Sequence, residues 1–168
     1  MRRSMHSLRN LPQWRYPEST YFCTWRLHHF GDILVAAERT IVAETLDLFN
    51  EERYRLAAYV VMDDHVHVVV FPLKDQELGK ILHSWKSYTA NWINKHRGVT
   101  GIRWMKDTHT EIMRNHAALR SRVKYIYNNP RRKWPEIVDY PWLKVFDVLQ
   151  YGGWEPPPQS LIAALRRR

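Results

Sequence analysis

Met62-Asp63-Asp64-His65-Val66-His67-Val68-Val69-Val70 reads as a β-strand entered through a tight turn. The run is rich in β-branched valine, and Pro72 follows soon after it. Because side chains alternate between the two faces of a strand, His65 and His67 point to one face. Two adjacent imidazoles form half of a site for zinc, manganese, iron, cobalt or nickel, and magnesium would need added oxygen ligands. The alternative is a histidine pair on a half-exposed sheet surface.

The composition indicates a basic protein with one domain. The chain has 168 residues, with 26 Lys and Arg against 17 Asp and Glu, and a formal net charge of +9. A surplus of that size favours a polyanionic partner, most often nucleic acid. Eight tryptophans and nine tyrosines could stack on bases. The alternative is that the tryptophans fill the core.

The single cysteine excludes an internal disulfide and fits a reducing cytoplasm. Cys23 lies in an apolar run, so we expect a core thiol and not a nucleophile. Met1-Arg2-Arg3 is basic but no apolar run follows it, so we expect no signal peptide. No segment has the length of a membrane span. We therefore expect a cytoplasmic protein associated with the nucleoid.

Three regions differ in composition. Residues 1–19 are polar and basic, and we interpret them as an arm, either a strap along a phosphate backbone or a disordered tail. Residues 20–155 carry the periodic apolar patterns of a folded domain. Residues 156–168 begin with three prolines and end with three arginines, so we interpret them as a Pro/Arg-rich C-terminal tail.

Apolar periodicity predicts an α+β fold. The strands are expected over 21–27, 54–61, the segment from His65 and 108–113; the helices over 36–50, 76–95 and 116–128. Asp75 and Asn115 are predicted helix caps, and Pro130 is predicted to end the last helix. The segment from there to 154 is expected to be irregular. This order predicts a ferredoxin-like antiparallel sheet (βαββαβ) with an added C-terminal helix, and an internal hairpin that carries the histidines.

The last helix offers groups that could complete a site. Tyr125 and Asn129 are four residues apart and share a helix face. An amide oxygen from Asn129 could be a third metal ligand while Tyr125 presents its phenol beside the ion. The alternative is that Tyr125 is an amphipathic core residue. Tyr127 points away from this face and is the better core candidate.

The ordered set of motifs resembles the HUH-type single-strand DNA transposases with one tyrosine, and most closely their REP-associated tyrosine transposase branch. Three segments carry the resemblance, which spans about residues 21–142: Val60 to Val70 with its His-Val-His, Trp85-Lys86-Ser87-Tyr88-Thr89-Ala90-Asn91, and Val123-Lys124-Tyr125-Ile126-Tyr127-Asn128-Asn129-Pro130. The chain departs from the family at Asp63-Asp64 and at Thr110-Glu111. Neither departure removes a proposed catalytic group.

The resemblance implies a catalytic domain over 20–155 that cleaves and rejoins single-stranded DNA at palindromic, REP-like hairpins. Tyr125 would be the nucleophile and form a 5′-phosphotyrosine link, and His65, His67 and Asn129 would bind Mg²⁺ or Mn²⁺. Tyr88 is a rival nucleophile, but its helix lacks an amide or carboxylate at four-residue spacing. Two alternatives stay open: a catalytically silent protein that binds hairpin DNA, and a metal-dependent nuclease that uses water.

The expected partner is single-stranded or hairpin DNA, and a monomer is favoured over a homodimer. Basic residues on the two later helices and around them are the candidate DNA contacts, because lysine and arginine can follow a phosphate backbone. The candidates are Lys80, Lys86, Arg97, Lys106, Arg114, Arg131, Arg132 and Lys133.

Overall fold

The computed structural model of the protein describes residues 19–73 and 75–146. The tail at 156–168 and nearly all of the arm at 1–19 lie outside these ranges, so the three-part division of the chain stays a prediction. The described part contains three helices and five strands, which are β1 Tyr21–Arg26, α1 Ala36–Asp47, β2 Tyr54–Val61, β3 His65–Pro72, α2 Leu78–Arg97, β4 His109–Ile112, α3 His116–Lys133 and β5 Leu143–Val145.

The strands form one antiparallel sheet in the order β4-β1-β3-β2-β5. This confirms the ferredoxin-like α+β arrangement, with β5 added beside β2. Strand β3 lies at the centre, where His67 pairs with Thr24 of β1 and with Val60 of β2. The histidines are therefore fixed by hydrogen-bonded neighbours on both sides.

The two faces of the sheet pack against different helices. Val66, Val68 and Val70 join a core formed with α1 and α2. Val69 joins a second core, which includes Phe22 of β1 and Ile126 of α3. Because side chains alternate along a strand, His65 and His67 share the face of Val69 and lie on the α3 side.

Aromatic side chains fill much of the α1/α2 core. Trp25 and Trp85 stack with ring centroids 6.0 Å apart, and both are buried. The Trp85 indole N–H donates to the Tyr54 hydroxyl at 2.9 Å. These tryptophans are core residues and not base-stacking platforms. Cys23 is also buried as predicted, and burial raises the pKa of its thiol to about 12.

Helix α3 is longer than the proline rule predicts. It continues through Pro130 to Lys133, and the Trp134 N–H donates to the Pro130 carbonyl at 2.8 Å. Proline removes its own donor and its ring crowds the carbonyl four residues earlier, but Pro130 is buried, and its packing favours keeping the last turn helical. Arg131, Arg132 and Lys133 therefore belong to α3 and not to a following loop.

Three further expectations from the sequence are wrong. Asp75 does not cap α2, because its backbone has φ of +67° and the N-cap is Glu77. The segment after α3 is not wholly irregular, since Leu143–Val145 forms β5. Tyr127 is half-buried and is not among the described core residues. The predicted Asn115 cap is confirmed, with its side chain accepting from the Ala118 N–H. No helix in the described ranges is long and apolar enough to cross a membrane.

Candidate active site

Two histidines on the central strand form the base of the site. The ring centroids of His65 and His67 are 4.6 Å apart. Each ring is held through its Nδ1 atom, that of His65 by the Asp64 carboxylate at 2.6 Å and that of His67 by the Thr24 hydroxyl at 2.7 Å. These bonds orient both imidazoles, and neither of them uses an Nε2 atom. Ligand histidines in metalloproteins are commonly held in this way.

The Asp64 carboxylate determines the tautomer of His65. Burial raises the pKa of Asp64, but the hydrogen bond and charge of His65, together with Lys133 and Arg26, lower it below its usual value. An ionised carboxylate can only accept hydrogen bonds, so His65 Nδ1 must carry the proton. The Nε2 atom of a neutral His65 then carries the lone pair that a metal ion requires.

The environment of His67 disfavours the protonated form at neutral pH. The residue is buried, and its burial together with the nearby charges of His65 and Arg122 lowers the pKa of His67 to about 3. Its Nε2 atom is buried and has no hydrogen-bond partner. Buried polar atoms without a partner are rare in folded proteins, and many of them mark functional positions. This atom is suited to bind a group supplied from outside the chain.

Helix α3 brings Tyr125 to the histidines. Val123 and Ile126 are buried against the sheet, which fixes the rotation of the helix about its axis. Tyr125 then lies at the edge of this contact, with its ring centroid 5.1 Å from that of His67. Phe22 lies under both rings, stacked on His67 at 5.5 Å and edge-on to Tyr125 at 6.0 Å. The structure therefore brings the predicted residues His65, His67 and Tyr125 together.

Two arginines of α3 flank the Tyr125 ring. The guanidinium carbon of Arg132 lies 5.2 Å from the ring centroid, and that of Arg122 lies 6.0 Å away. Arg122 also forms an ion pair with Glu111 of β4. Two positive charges therefore lie close to the phenol ring, where they could bind the phosphate oxygens of a nucleic acid.

Asn129 lies one helical turn beyond Tyr125 and is buried. No group of three or more His, Cys, Asp or Glu side chains in the described ranges is arranged to hold a metal ion. A cation at the histidine pair would thus need a different third ligand. The amide oxygen of Asn129, on the Tyr125 face of α3, is of the type that could serve as this third ligand. Together with the unpartnered Nε2 atom of His67 and the tautomer that Asp64 imposes on His65, it makes a donor set that suits a divalent cation.

The predicted DNA contacts divide between the two faces of the sheet. Arg131, Arg132 and Lys133 occupy the last turn of α3, and Lys133 reaches the turn before β3 through an ion pair with Asp63. Arg114 is exposed just before α3. These four residues lie on the α3 side or at its edge, where they could contact a strand bound at Tyr125.

The other predicted DNA contacts lie on α2, which packs on the other face of the sheet, or in the loop after it, and they stay predictions. The Lys86 ammonium donates to the Met105 and Lys106 carbonyls, and the Lys106 side chain itself is exposed. Arg97 is bound to Glu38 and Asp32. Lys80 is exposed and pairs with Glu77. The rival nucleophile Tyr88 is also exposed on α2, away from the histidines.

The sequence reasoning missed several residues that support the site. Thr24 could be found only from the strand register, which places it beside His67. Arg122 had a usable signal, because it lies three residues before Tyr125, a spacing that shares one helix face with Tyr125 and with the predicted DNA contact Arg132. Phe22 lies two residues before Thr24 on the same face of β1.

Comparison with known proteins identifies relatives of this chain. A family model for IS200-like transposases matches residues 37–129, more than half of the 168 residues, and includes both histidines, Tyr125 and Asn129. Among solved structures, a REP-associated tyrosine transposase bound to a REP hairpin has a TM-score of 0.67 and 20% identity over 88% of each chain.

A second solved structure, of a protein from Deinococcus radiodurans provisionally described as a transposase, has a TM-score of 0.47 and 16% identity. The match covers 71% of this chain and 96% of that one, and it is too distant to bear on function. No curated protein matches the sequence.

Proposed function

Because the chain belongs to the IS200-like transposase family, we propose that it cleaves and rejoins single-stranded DNA beside palindromic, REP-like hairpins. Tyr125 is the proposed nucleophile, and the product of cleavage is a 5′-phosphotyrosine link. The observation that carries this proposal is the 5.1 Å between the ring centroids of Tyr125 and His67, whose buried Nε2 has no partner. A protein that only binds DNA needs neither feature. The fold shared with a transposase bound to a REP hairpin supports the choice of substrate.

The chemistry is a transesterification with no net consumption of energy. The Tyr125 oxygen attacks phosphorus, so an O–P bond forms while the bond from phosphorus to the 3′ oxygen breaks. The electron pair leaves on that 3′ oxygen, which takes up a proton, and the phenol proton passes to solvent. The reverse attack by a 3′-hydroxyl on the phosphotyrosine releases Tyr125 and rejoins the strand. The protein thus needs no ATP.

The flanking arginines have a clear role in this scheme. Arg122 and Arg132 both lie within about 6 Å of the Tyr125 ring and can hold the non-bridging phosphate oxygens during attack. The ion pair with Glu111 fixes the guanidinium of Arg122 before DNA arrives. Prepositioned charge of this kind stabilises a transition state without reorganisation during the reaction.

His65, His67 and Asn129 would hold a divalent cation, Mg²⁺ or Mn²⁺. Such a cation, when bound, polarises the phosphoryl oxygens and stabilises the negative charge that develops on them. The hydrogen bonds from Asp64 and Thr24 to the two Nδ1 atoms support metal binding, because they orient the imidazoles and keep both Nε2 atoms available as ligands. Monomeric action and location at the nucleoid stay predictions; light scattering of the purified protein tests the first.

The proposal is tested by trapping the covalent intermediate. Wild-type protein is mixed with a DNA hairpin that carries single-stranded flanks and a label at its 3′ end, in Mn²⁺, and the products are separated on a denaturing gel. We expect a labelled protein–DNA adduct that Tyr125→Phe abolishes and that EDTA prevents. Tyr127→Phe, two residues along the same helix, and Tyr88→Phe on the opposite face are the controls and should form the adduct normally.

Binding of Tyr125→Phe to the same hairpin, measured by gel shift, should stay at the wild-type level because the aromatic ring is kept. An adduct with Tyr125→Phe would reject Tyr125 as the nucleophile. Cleavage without any adduct in the wild type would indicate a nuclease that uses water, and binding without cleavage would indicate a silent hairpin-binding protein.

A further inference from the structure

The loop between β1 and α1, residues 27–35, presents an exposed apolar tip. Phe30 has a relative exposure of 108%, the highest among the exposed large hydrophobic residues in the described part of the chain, where Val138 follows at 81%. Ile33 and Val35 of the same loop are also exposed, at 55% and 49%. Isolated exposed apolar residues are ordinary, but three within six residues form a patch.

This loop is held rigidly, so the exposure of Phe30 is built into the fold. Asp32 accepts hydrogen bonds from Arg97 at 2.8 Å and from Arg103 at 2.7 Å. Arg97 also bonds the Ile33 carbonyl and pairs with Glu38, whose side chain is 1% exposed. Gly31, with φ of +81°, allows the sharp turn after Phe30, because residues with a side chain rarely adopt that conformation.

The anchors of the loop are at the catalytic end of the sheet. The Leu27 N–H donates to the Asp64 carbonyl at 2.9 Å, and the Leu34 N–H donates to the Asp63 carbonyl at 2.6 Å. Asp64 also binds His65 through its side chain. Phe30 is three residues from Leu27 and so lies within about 11 Å of that anchor along the chain. A strand bound at the histidines would therefore pass close to the tip.

The surroundings of Phe30 favour a nucleic-acid partner. His28 and His29 precede it and are exposed, and the Arg26 side chain at the end of β1 is 59% exposed while it pairs with the Asp64 carboxylate at 3.1 Å. An aromatic ring beside cationic and hydrogen-bonding groups is the combination that binds single-stranded DNA, because bases stack on the ring while cations contact phosphates.

We propose that Phe30 stacks on an unpaired base of the DNA strand that enters the active site, and so fixes the position of that strand. This inference rests on the proposed function and adds a base-contacting residue to it. Arg97 and Arg103 then act as positioning residues for the tip, which explains why Arg97 is engaged inside the protein and not with DNA.

The test compares two probes, an oligo(dT) strand and an abasic strand of equal length, so that base and backbone contributions are separated. Wild-type protein should bind oligo(dT) more tightly than the abasic strand. Phe30→Ala should weaken oligo(dT) binding roughly 5- to 150-fold, the range expected from one lost base–aromatic contact, and leave abasic binding unchanged. Phe30→Leu should weaken it similarly, since it keeps the apolar character but loses the ring, whereas Phe30→Trp should retain binding. Tyr88→Ala, which removes an exposed ring from the opposite face, is the matched control.

Three outcomes would overturn the inference. They are unchanged oligo(dT) binding in Phe30→Ala, equal weakening on both probes, and wild-type binding in Phe30→Leu. A change in oligomeric state of Phe30→Ala by light scattering would instead assign the tip to a second copy of the chain. Adduct formation by Phe30→Ala at saturating hairpin DNA separates this inference from the proposed function, since the adduct requires Tyr125 and the proposed metal ligands but not Phe30.

Discussion

Replacing Thr24 by valine removes the hydroxyl that orients His67 and nearly preserves the volume of the side chain. The bond from Thr24 Oγ1 to His67 Nδ1 is 2.7 Å long, and His67 is only 5% exposed, so water has little access to replace it. A buried polar atom that loses its partner costs about 1–3 kcal/mol. Loss of an outer partner of a metal ligand weakens metal affinity by about 10- to 100-fold, which is a similar free energy.

We therefore expect Thr24→Val to bind Mn²⁺ about 10- to 100-fold more weakly than wild type in isothermal titration calorimetry. Thr45→Val is the matched control, because Thr45 is also buried but its hydroxyl bonds the Ile41 carbonyl within α1, at 2.6 Å. It should bind Mn²⁺ normally. Wild-type Mn²⁺ affinity in Thr24→Val, or an equal loss in Thr45→Val, would refute the role of Thr24 in a metal site.

Two further predictions concern charge. Arg97→Met should lower the free energy of unfolding by about 3–5 kcal/mol at neutral pH, because it leaves the buried Glu38 carboxylate unpaired. Burial raises the pKa of Glu38, but the hydrogen bonds and charge of Arg97 have the larger effect and hold this pKa below its usual value. The ion pair therefore stabilises the fold at neutral pH, and its contribution is lost on acidification. The gap between variant and wild type in urea unfolding should therefore narrow below about pH 4.5; a gap that widens would contradict the assignment. Hairpin affinity should fall steeply with salt, and Arg132→Ala should reduce the slope of log affinity against log salt by roughly 0.9. Lys80→Ala, on the opposite face, should leave the slope unchanged, and the same slope in Arg132→Ala would exclude a phosphate contact there.

The central hairpin could be predicted because valine and histidine alternate along β3 with the two-residue period of a strand. The predicted strand at 54–61 agrees with β2, and the alternation of valine and histidine gave the faces of β3 correctly. A one-residue shift in register would move every valine of β3 to the other face, so the pattern allows one arrangement.

The errors in the fold have a common origin in tertiary contacts. Strand β5 is three residues long and exists because Ala58, Tyr59 and Val60 of β2 supply its partners. Nothing local in Leu143–Val145 indicates an edge strand. The last turn of α3 survives Pro130 because that residue packs into the protein, a contact that no local rule includes.

The site was predictable only where its residues share one element. His65 and His67 share a strand, and Tyr125 and Asn129 share a helix, so spacing alone indicated both pairs. Thr24 and Glu111 come from neighbouring strands, and their positions depend on the register of β1 against β3 and β4. The helix pattern also could not show that Arg97 pairs with Asp32 of the loop before α1 and with Glu38 of α1.

The division of the sheet into two faces explains how a small protein can hold a precise site. The face covered by α1 and α2 is packed with valine and tryptophan, and supplies a core that is independent of the site. On the other face, α3 packs through Val123, Ile126 and Pro130, and Tyr125 lies partly buried at the edge of that core. His67, paired on both sides, cannot move away without breaking the centre of the sheet. The distance between phenol and imidazole is therefore determined by the packing of α3 on β3, two elements that the chain needs in any case to fold.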